Sequence, residues 1–177
     1  MHDRVQQAAY SLIPDNQKQK THWQIGQALL NKISDQQLED KLFEVVNQLN
    51  NGLIFCEEDA NNKEKIVQLN LRAGLKAKES IAYAAAVSYF TQAISLLPLN
   101  CWKNQYKLAF ELHRKLAEVE YLNGNFERTE TLVYDTLKKV KSDIEKADLY
   151  NLLVVKYTLE GKYEQAIKVG KEGLILL

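Results

Sequence analysis

Two places in the sequence carry residue types that take part in phosphoryl transfer. The triplet His2-Asp3-Arg4 has the composition of a kinase catalytic loop, but such a loop places its Asp third and an Asn five positions later, where Ala8 stands here. His113 could accept a phosphoryl group if an acidic residue followed it and oriented the ring, but Arg114 follows instead. Neither pattern supports catalysis. We expect His113 to be hydrogen-bonded, or to face a groove, on a partly apolar helix.

Other motifs for catalysis or cofactor binding are missing from the sequence. There is no GxxxxGK[ST] phosphate loop, no glycine-rich kinase loop and no DFG triplet, so no segment matches a site for a triphosphate and its Mg²⁺. Cys56 and Cys101 are too few for a disulfide framework and lack CxxC spacing, which favours reduced thiols. The three histidines are far apart, so none forms a chelating pair. We expect no catalytic residue, no metal and no cofactor.

Composition bounds the classes of partner. Lys plus Arg and Asp plus Glu each number 23 in 177 residues, and no long basic block concentrates positive charge as a nucleic-acid-binding face would. No apolar run approaches the roughly 20 residues that a membrane helix needs, and the first residues carry no signal-peptide core. The sequence therefore predicts a cytoplasmic protein whose partners are proteins, with no nucleic acid and no membrane.

Residues 66–98 show a pattern typical of two packed helices. Small side chains let helices approach closely, and an aromatic ring fills the gap between them, as in a tetratricopeptide repeat. Pro98 lies where such a unit closes. The apolar and small residues at helical spacing are Leu69, Ala73, Gly74, Ala77, Tyr83, Ala86, Phe90, Ala93 and Leu97.

The signature recurs at Gly124-Asn125-Phe126 and Gly161-Lys162-Tyr163, 37 positions apart. In each, a glycine can take the left-handed geometry that ends a helix, and an aromatic residue opens the next helix. The match is degenerate, because Thr129 and Thr136 stand where alanine is usual and Gly170 where an aromatic is usual. The sequence predicts an all-α, tetratricopeptide-like α-α superhelix of about four antiparallel hairpins. The approximate units are residues 17–50, 63–98, 103–140 and 143–177.

Three further segments complete the predicted organisation. Ser34 followed by Gln37 predicts a capping box that opens a helix. Residues 53–62 mix apolar and acidic side chains, so we interpret them as a loop or partial helix. Residues 99–103 form a connector, and Trp102 is expected to pack between repeats rather than to bind a ligand.

Residues 2–13, HDRVQQAAYSLI, resemble the end of the ATPase module in large multidomain bacterial signalling kinases, best known from cyanobacteria. Further similar segments are residues 69–78, 83–86 and 117–127. Such proteins join a serine/threonine-kinase-like domain, an AAA-type or signal-transduction ATPase, helical repeats, a GAF sensor and often a histidine kinase. The resemblance implies that residues 1–14 are the terminal helix of the ATPase-associated module. It also implies that residues 15–177 are the repeat region, cut from a longer protein.

In a repeat array, the first helix of each pair lines a concave groove. Repeats that capture a C-terminal carboxylate concentrate Lys, Arg and Asn there, whereas this set offers two cations against three acidic residues. We therefore expect a contact with another domain rather than a carboxylate clamp. The residues projected onto the groove are Gln68, Leu71, Leu75, Lys78, Glu111, Arg114, Glu118, Tyr121, Asp148, Asn151 and Val155.

Two functions follow as hypotheses. The first is a non-catalytic scaffold within a signalling kinase, which couples the ATPase to sensor or kinase domains. The alternative is a free-standing adaptor that binds a peptide or protein. In either case the last helix, with apolar residues 174–177 on more than one face, predicts self-association through the C-terminal helix.

Overall fold

The computed structural model describes residues 13–56 and 60–177, and all regular secondary structure in them is helical. This confirms the all-α fold. The terminal helix expected over residues 1–14 lies, except for residues 13 and 14, outside the described residues. The chain divides into two compact units, residues 1–69 and 70–177, each described below by itself. The helices are α1 (Asp15–Lys32), α2 (Asp35–Asn51), α3 (Ala60–Glu79), α4 (Tyr83–Ser95), α5 (Cys101–Asn104), α6 (Tyr106–Leu122), α7 (Phe126–Leu137), α8 (Asp143–Leu159) and α9 (Tyr163–Leu174).

Helices α1 and α2 form a hairpin in the first unit. The hydroxyl of Ser34 accepts a hydrogen bond from the Gln37 N–H at 3.4 Å, and the Gln37 side chain accepts one from the Ser34 N–H at 3.0 Å, which confirms the capping box. The two helices approach closely at Gly26, where an added Cβ would lie 2.8 Å from Leu49 Cδ2. The apolar stripe of α2 supplies the buried residues Leu42, Val45, Val46 and Leu49.

The irregular segment after α2 contains a 3₁₀ turn over Leu53–Phe55, which packs against α1. Gly52 precedes it, and an added Cβ there would lie 2.6 Å from the Trp23 backbone nitrogen. Helix α3 then begins at Ala60, so the end of the predicted loop or partial helix belongs to the first turn of α3.

Three turns in the second unit share one backbone geometry. Ile81, Gly124 and Gly161 have φ values of 61°, 83° and 72°, respectively. The next residue in each case has φ near −86° to −89° and ψ of 62° to 63°. Its N–H donates to the carbonyl five residues back, at 2.8 to 2.9 Å, as in a Schellman motif. The left-handed glycines are confirmed, whereas Ile81 gives no sequence signal because β-branched residues rarely adopt positive φ.

Alignment of the three turns shows how each hairpin closes. The Phe90 ring covers Gly74, where an added Cβ would lie 2.5 Å from Phe90 Cε1. In the next hairpin the equivalent pair is Ala117 on α6 and Val133 on α7, both fully buried. In the last hairpin it is Val154 on α8 and Gly170 on α9. The larger residue thus moves from the second helix of the pair to the first. Gly170 departs from the aromatic pattern because Val154 supplies the side chain from the opposite helix.

The other departures from the pattern are buried threonines. Thr129 and Thr136 are 0% and 2% exposed, yet their hydroxyls are not left without partners. Thr129 donates to the Asn125 carbonyl at 3.1 Å, and Thr136 to the Leu132 carbonyl at 2.6 Å. A hydroxyl bonded to the preceding helical turn can replace a methyl group without an orphaned polar atom.

The hairpins of the second unit pack in sequence: α4 contacts α6, and α8 contacts both α6 and α7. Residues 99–103, expected as a connector, contain the one-turn helix α5, because the carbonyls of Pro98 and Asn100 accept hydrogen bonds from the following N–H groups. Trp102 packs against the core of this unit, as expected. The buried residues of that core are Ala117, Val133, Val140, Leu149, Leu152, Leu153, Tyr157, Ala166 and Val169.

Candidate functional site

Opposite charges link the first helices of two adjacent hairpins. Lys78 on α3 and Lys115 on α6 both pair with Glu118 on α6; the Lys115 nitrogen lies 3.5 Å from Glu118 Oε2. These side chains are only 17 to 25% exposed. Burial opposes ionisation of Glu118, but the Lys78 hydrogen bond and the charges of Lys115 and Arg114 outweigh it and lower its pKa. The cluster formed by Lys78, Arg114, Lys115 and Glu118 is called the α3–α6 charge cluster.

Helix α6 is joined to α8 by a tyrosine. The Tyr106 hydroxyl donates to Glu145 Oε2 at 2.5 Å and accepts from the Lys141 N–H at 3.0 Å. Burial and the adjacent Glu145 raise the pKa of Tyr106, so its hydroxyl remains a donor at neutral pH. This contact fixes the loop between α7 and α8 against the first helix of the preceding pair.

His113 is half-buried beside Trp102, with ring centroids 5.0 Å apart. Its Nδ1 lies 2.7 Å from the Ala109 carbonyl oxygen, which can only accept, so Nδ1 carries the proton. Burial lowers the pKa of the ring, and the charge of Lys139 lowers it further. The neutral imidazole is thus a packed and hydrogen-bonded group, as the sequence predicted.

A second ionic cluster joins α7 to α8. The Lys156 side chain is 2% exposed and pairs with Glu130 on α7 and with Glu160, whose Oε2 lies 2.9 Å away. Lys162 binds the other oxygen of Glu160 at 2.9 Å, and the Lys156 ammonium lies 4.1 Å from the Tyr157 ring centroid. Burial opposes the charge on Lys156, but the two carboxylates outweigh it and raise its pKa. We call Glu130, Lys156, Glu160 and Lys162 the α7–α8 charge cluster.

A buried carboxylate lies below the turn between α6 and α7. Glu120 is 0% exposed, with Arg128 Nε at 2.5 Å from Oε1 and the Asn125 amide donating to Oε2 at 2.6 Å. An open cleft of about 590 Å³ lies at the same edge, lined by Gly124, Asn125, Phe126, Glu127, Arg128 and Glu160. With Glu127 and Glu160 in its lining, the cleft has no excess of cations and is poorly suited to an anion.

The predicted groove residues have different environments. The structure brings Lys78 and Glu118 into contact and places Arg114 and Tyr121 within electrostatic reach of Glu118. Their role as a binding surface stays a prediction. Gln68, Glu111, Asp148 and Asn151 are exposed; Leu75, Lys78, Arg114, Glu118, Tyr121 and Val155 are half-buried; Leu71 is buried.

Sequence reasoning missed three charged residues that the fold buries or pairs. Lys115 is part of the α3–α6 charge cluster, and Lys156 and Glu120 are almost fully buried. Two weak signals were present. Lys156 and Glu160 have the i, i+4 spacing of a helical ion pair, and Glu120 interrupts the apolar stripe of α6 four residues after Leu116. Glu130, the other partner of Lys156, is 26 positions away in the sequence, so its pairing with Lys156 gave no sequence signal.

Among the described residues, no group of three His, Cys, Asp or Glu side chains could hold a metal ion. None of the described helices combines the length and apolarity needed to cross a bilayer.

The chain resembles part of a much larger signalling protein. Hybrid signal transduction histidine kinase G from Dictyostelium discoideum is 26% identical over 198 aligned residues, which cover 98% of this chain and 6% of the kinase. The chain therefore spans only a small fraction of the relative's length. No protein-family model matches the chain, and no solved structure matches it. The similarity agrees with the expected signalling context.

Proposed function

We propose that this chain is a non-catalytic, tetratricopeptide-like scaffold within a larger signalling kinase, where it couples an ATPase module to sensor or kinase domains. The observation that carries the proposal is the extent of the similarity: it covers 98% of this chain but only 6% of a hybrid histidine kinase. The aligned stretch is a small part of that kinase's length, as expected for a region of a multidomain protein.

The geometry of the second unit supports a repeat scaffold. Three turns share the same backbone angles and hydrogen bonds, and the hairpins that they close pack in sequence. Such a stack presents the first helices of successive pairs on one side, where another domain can dock. The α3–α6 charge cluster and the contact between Tyr106 and Glu145 hold these first helices together.

The alternative function is a free-standing adaptor that binds a peptide or protein, and one way in which such an adaptor could bind is to capture a peptide carboxylate in the groove. The cations of the α3–α6 charge cluster are poorly placed for it, because Lys78 and Lys115 already pair with Glu118. A peptide carboxylate would have to compete with Glu118, whose side chain is 17% exposed, for the ammonium group of Lys78, whose side chain is 25% exposed. This favours the scaffold over an adaptor that works by carboxylate capture.

Two titrations test the proposal. Calorimetry with ATP and Mg²⁺ is expected to show no binding, and micromolar binding would contradict a non-catalytic role. A library of peptides with free C-termini, compared with the same peptides amidated, tests the adaptor. The scaffold predicts no affinity that depends on the carboxylate. Micromolar binding that is lost both on amidation and in Arg114→Ala would support the adaptor instead.

A further inference from the structure

Two lysines of the loop between α7 and α8 have no carboxylate partner. Lys139 and Lys141 are exposed, and neither ammonium group forms an ion pair with a carboxylate of the described residues. The lysines on either side differ from them, because Lys138 and Lys146 each pair with a nearby aspartate at 2.7 Å. The positive charges of Lys139 and Lys141 are therefore available to a group outside the chain.

Contacts with α6 fix the position of this loop. The Lys141 N–H donates to the Tyr106 hydroxyl at 3.0 Å, and the Tyr106 ring packs edge to face on Trp102, with ring centroids 5.9 Å apart. Lys103 directly follows Trp102, and Lys107 directly follows Tyr106; both are exposed and form no ion pair with a carboxylate in the described part of the chain. Since consecutive Cα atoms are about 3.8 Å apart, all four lysines lie around one aromatic pair.

The positive charge of the loop acts on its neighbours. The charge of Lys139 adds to burial in lowering the pKa of His113, whose ring centroid lies 5.0 Å from that of Trp102. Lys139 also helps to lower the pKa of Asp135, although the hydrogen bond from Lys138 is the larger cause. A negative group that binds beside Lys139 would meet an attractive field.

Ile144 adds an exposed apolar side chain at the same place. It lies in the first turn of α8 and is 71% exposed, next to Glu145, whose carboxylate accepts the Tyr106 hydrogen bond. The offset of 37 residues between the last two hairpins aligns Ile144 with Lys107, which is also exposed, so packing within the hairpin does not require an apolar residue here. We call this surface the basic patch and define it as Lys103, Lys107, Lys139, Lys141 and Ile144.

We propose that the basic patch docks an acidic segment of a partner polypeptide, with its Asp and Glu side chains on the lysines and one apolar side chain on Ile144. Charge complementarity identifies this occupant, because unpaired lysines attract and orient carboxylates. The chain's own carboxylates at Asp135, Asp143 and Glu145 lie among the lysines. They would repel the closely spaced phosphates of a nucleic acid or an anionic lipid surface, whereas a polypeptide can carry its charges only where lysines face them. The inference rests on the proposed scaffold function, for which it names a docking surface.

The test uses the whole chain and three fluorescein-labelled peptides of equal length, all amidated so that no terminal carboxylate contributes. The first combines Asp and Glu with one central Leu. In the second, Asn and Gln replace the acidic residues, and in the third, Ser replaces the Leu. By anisotropy, the acidic Leu peptide is expected to bind at least about tenfold more tightly than its amide counterpart, and added salt is expected to reduce this advantage.

The double variant Lys139→Gln, Lys141→Gln is expected to weaken the acidic peptide at least about fivefold. It keeps the Lys141 N–H that binds Tyr106, so the loop retains its anchor. The matched control is Lys168→Gln, Lys171→Gln, which removes the same net charge from two exposed lysines of α9 that also form no ion pair with a described carboxylate. The control is expected to leave the affinity unchanged.

Ile144→Ser is expected to remove the preference for the Leu peptide over the Ser peptide. Leu159→Ser is its control, since Leu159 is 62% exposed at the other end of α8. Equal affinity for the acidic and amide peptides, equal effects of the two lysine pairs, or a Leu preference that survives Ile144→Ser would overturn the proposal. Tighter binding of a DNA duplex or of phosphatidylserine vesicles to the same lysines would also overturn it. None of these results would alter the ATP titration, so the scaffold can stand if the docking proposal fails.

Discussion

The α3–α4 and α8–α9 hairpins use the same turn but opposite distributions of side-chain volume. In α3–α4 the second helix carries Phe90, which fits over Gly74 on the first; in α8–α9 the first helix carries Val154, and Gly170 stands opposite. The buried pair must fill the space between two helices, but either helix can supply the larger residue. The comparison shows that these hairpins share their turn geometry, whereas the side chain that fills the space between the helices can come from either helix and need not be aromatic.

The exchange has different consequences for the outer face of each pair. Phe90 is fully buried, and α4 packs against α6. Gly170 is half-buried, and a groove lined by residues of α8 and α9 lies beside it. The equivalent position on the second helix is thus fully covered in one hairpin and only partly covered in the other.

The largest expected effect is the loss of the ring in the first of these hairpins. Phe90→Ala removes a fully buried aromatic side chain and should lower the free energy of unfolding by about 3–5 kcal/mol. Urea unfolding curves, analysed with the same m value for the parent chain and the variant, measure this loss of unfolding free energy. Tyr163→Ala is the matched control, since Tyr163 opens α9 but is 64% exposed, and it should change stability by less than about 0.5 kcal/mol. A small loss in Phe90→Ala would mean that Gly74 and its neighbours collapse into the space.

The two charge clusters offer a second comparison, between α3–α6 and α7–α8. Lys156→Met keeps the aliphatic stem but removes a charge that is 2% exposed, and it should cost about 1–3 kcal/mol, because Glu130 and Glu160 can be rehydrated only in part. Lys78→Met, at a site 25% exposed, should cost less. Lys138→Met is the control: its side chain is 70% exposed and its loss should have no measurable effect. Equal losses at positions 78 and 156 would contradict the ranking by burial.

The pH dependence of stability sharpens this comparison. The Lys156 hydrogen bond lowers the pKa of Glu130, and pairing with lysines outweighs burial and lowers those of Glu118 and Glu160. Groups with a depressed folded pKa stabilise the fold above the unfolded value of about 4.3, and their contribution is lost as pH falls through the folded pKa. Unfolding free energy should therefore decline below about pH 4. In Lys156→Met this decline should be shallower but still present, because Glu118 keeps its own partners.

Local signals in the sequence were sufficient for some of these features and not for others. Ser34 with Gln37, and the glycines at 124 and 161, act within a few residues of the chain, so the capping box and two turns could be predicted. Lys156 depends on Glu130, on a different helix and 26 positions away. The role of Gly170 likewise depends on Val154, which only the packed hairpin places opposite it. Pattern reasoning therefore found the long helices and two of the three turns, but it did not find α5, the turn at Ile81 or the pairings between helices.

The glycines of the two hairpins should respond to alanine with opposite signs. Gly74→Ala brings a Cβ within 2.5 Å of the Phe90 ring, and this overpacking should cost about 1–2 kcal/mol even after the gain in helix propensity. Gly170→Ala meets only Val154 Cγ2 at 3.4 Å and should stabilise the chain by about 0.5–1 kcal/mol. Thermal melts of both variants measure the difference. Adding Phe90→Leu to Gly74→Ala should recover part of the lost stability. If it does not, the destabilisation by Gly74→Ala does not come from a clash with the Phe90 ring.

The smallest expected effect concerns the turn that the hairpins share. Ile81 has φ of 61°, which costs a residue with a Cβ about 1–2 kcal/mol, and its side chain is 73% exposed, so little burial would be lost with it. Ile81→Gly should relieve the strain and raise the unfolding free energy by about 0.5–1 kcal/mol. The greater entropy of glycine in the unfolded chain offsets part of this gain.

The reverse change is available at Gly124 and Gly161, where an added Cβ meets nothing within 4 Å. Gly124→Ala and Gly161→Ala should each lose about 1 kcal/mol through backbone conformation alone. If Ile81→Gly instead destabilises the chain while both alanine variants behave as expected, the Ile81 side chain must contribute contacts that outweigh its strained backbone, and the three turns would share geometry without sharing energetics.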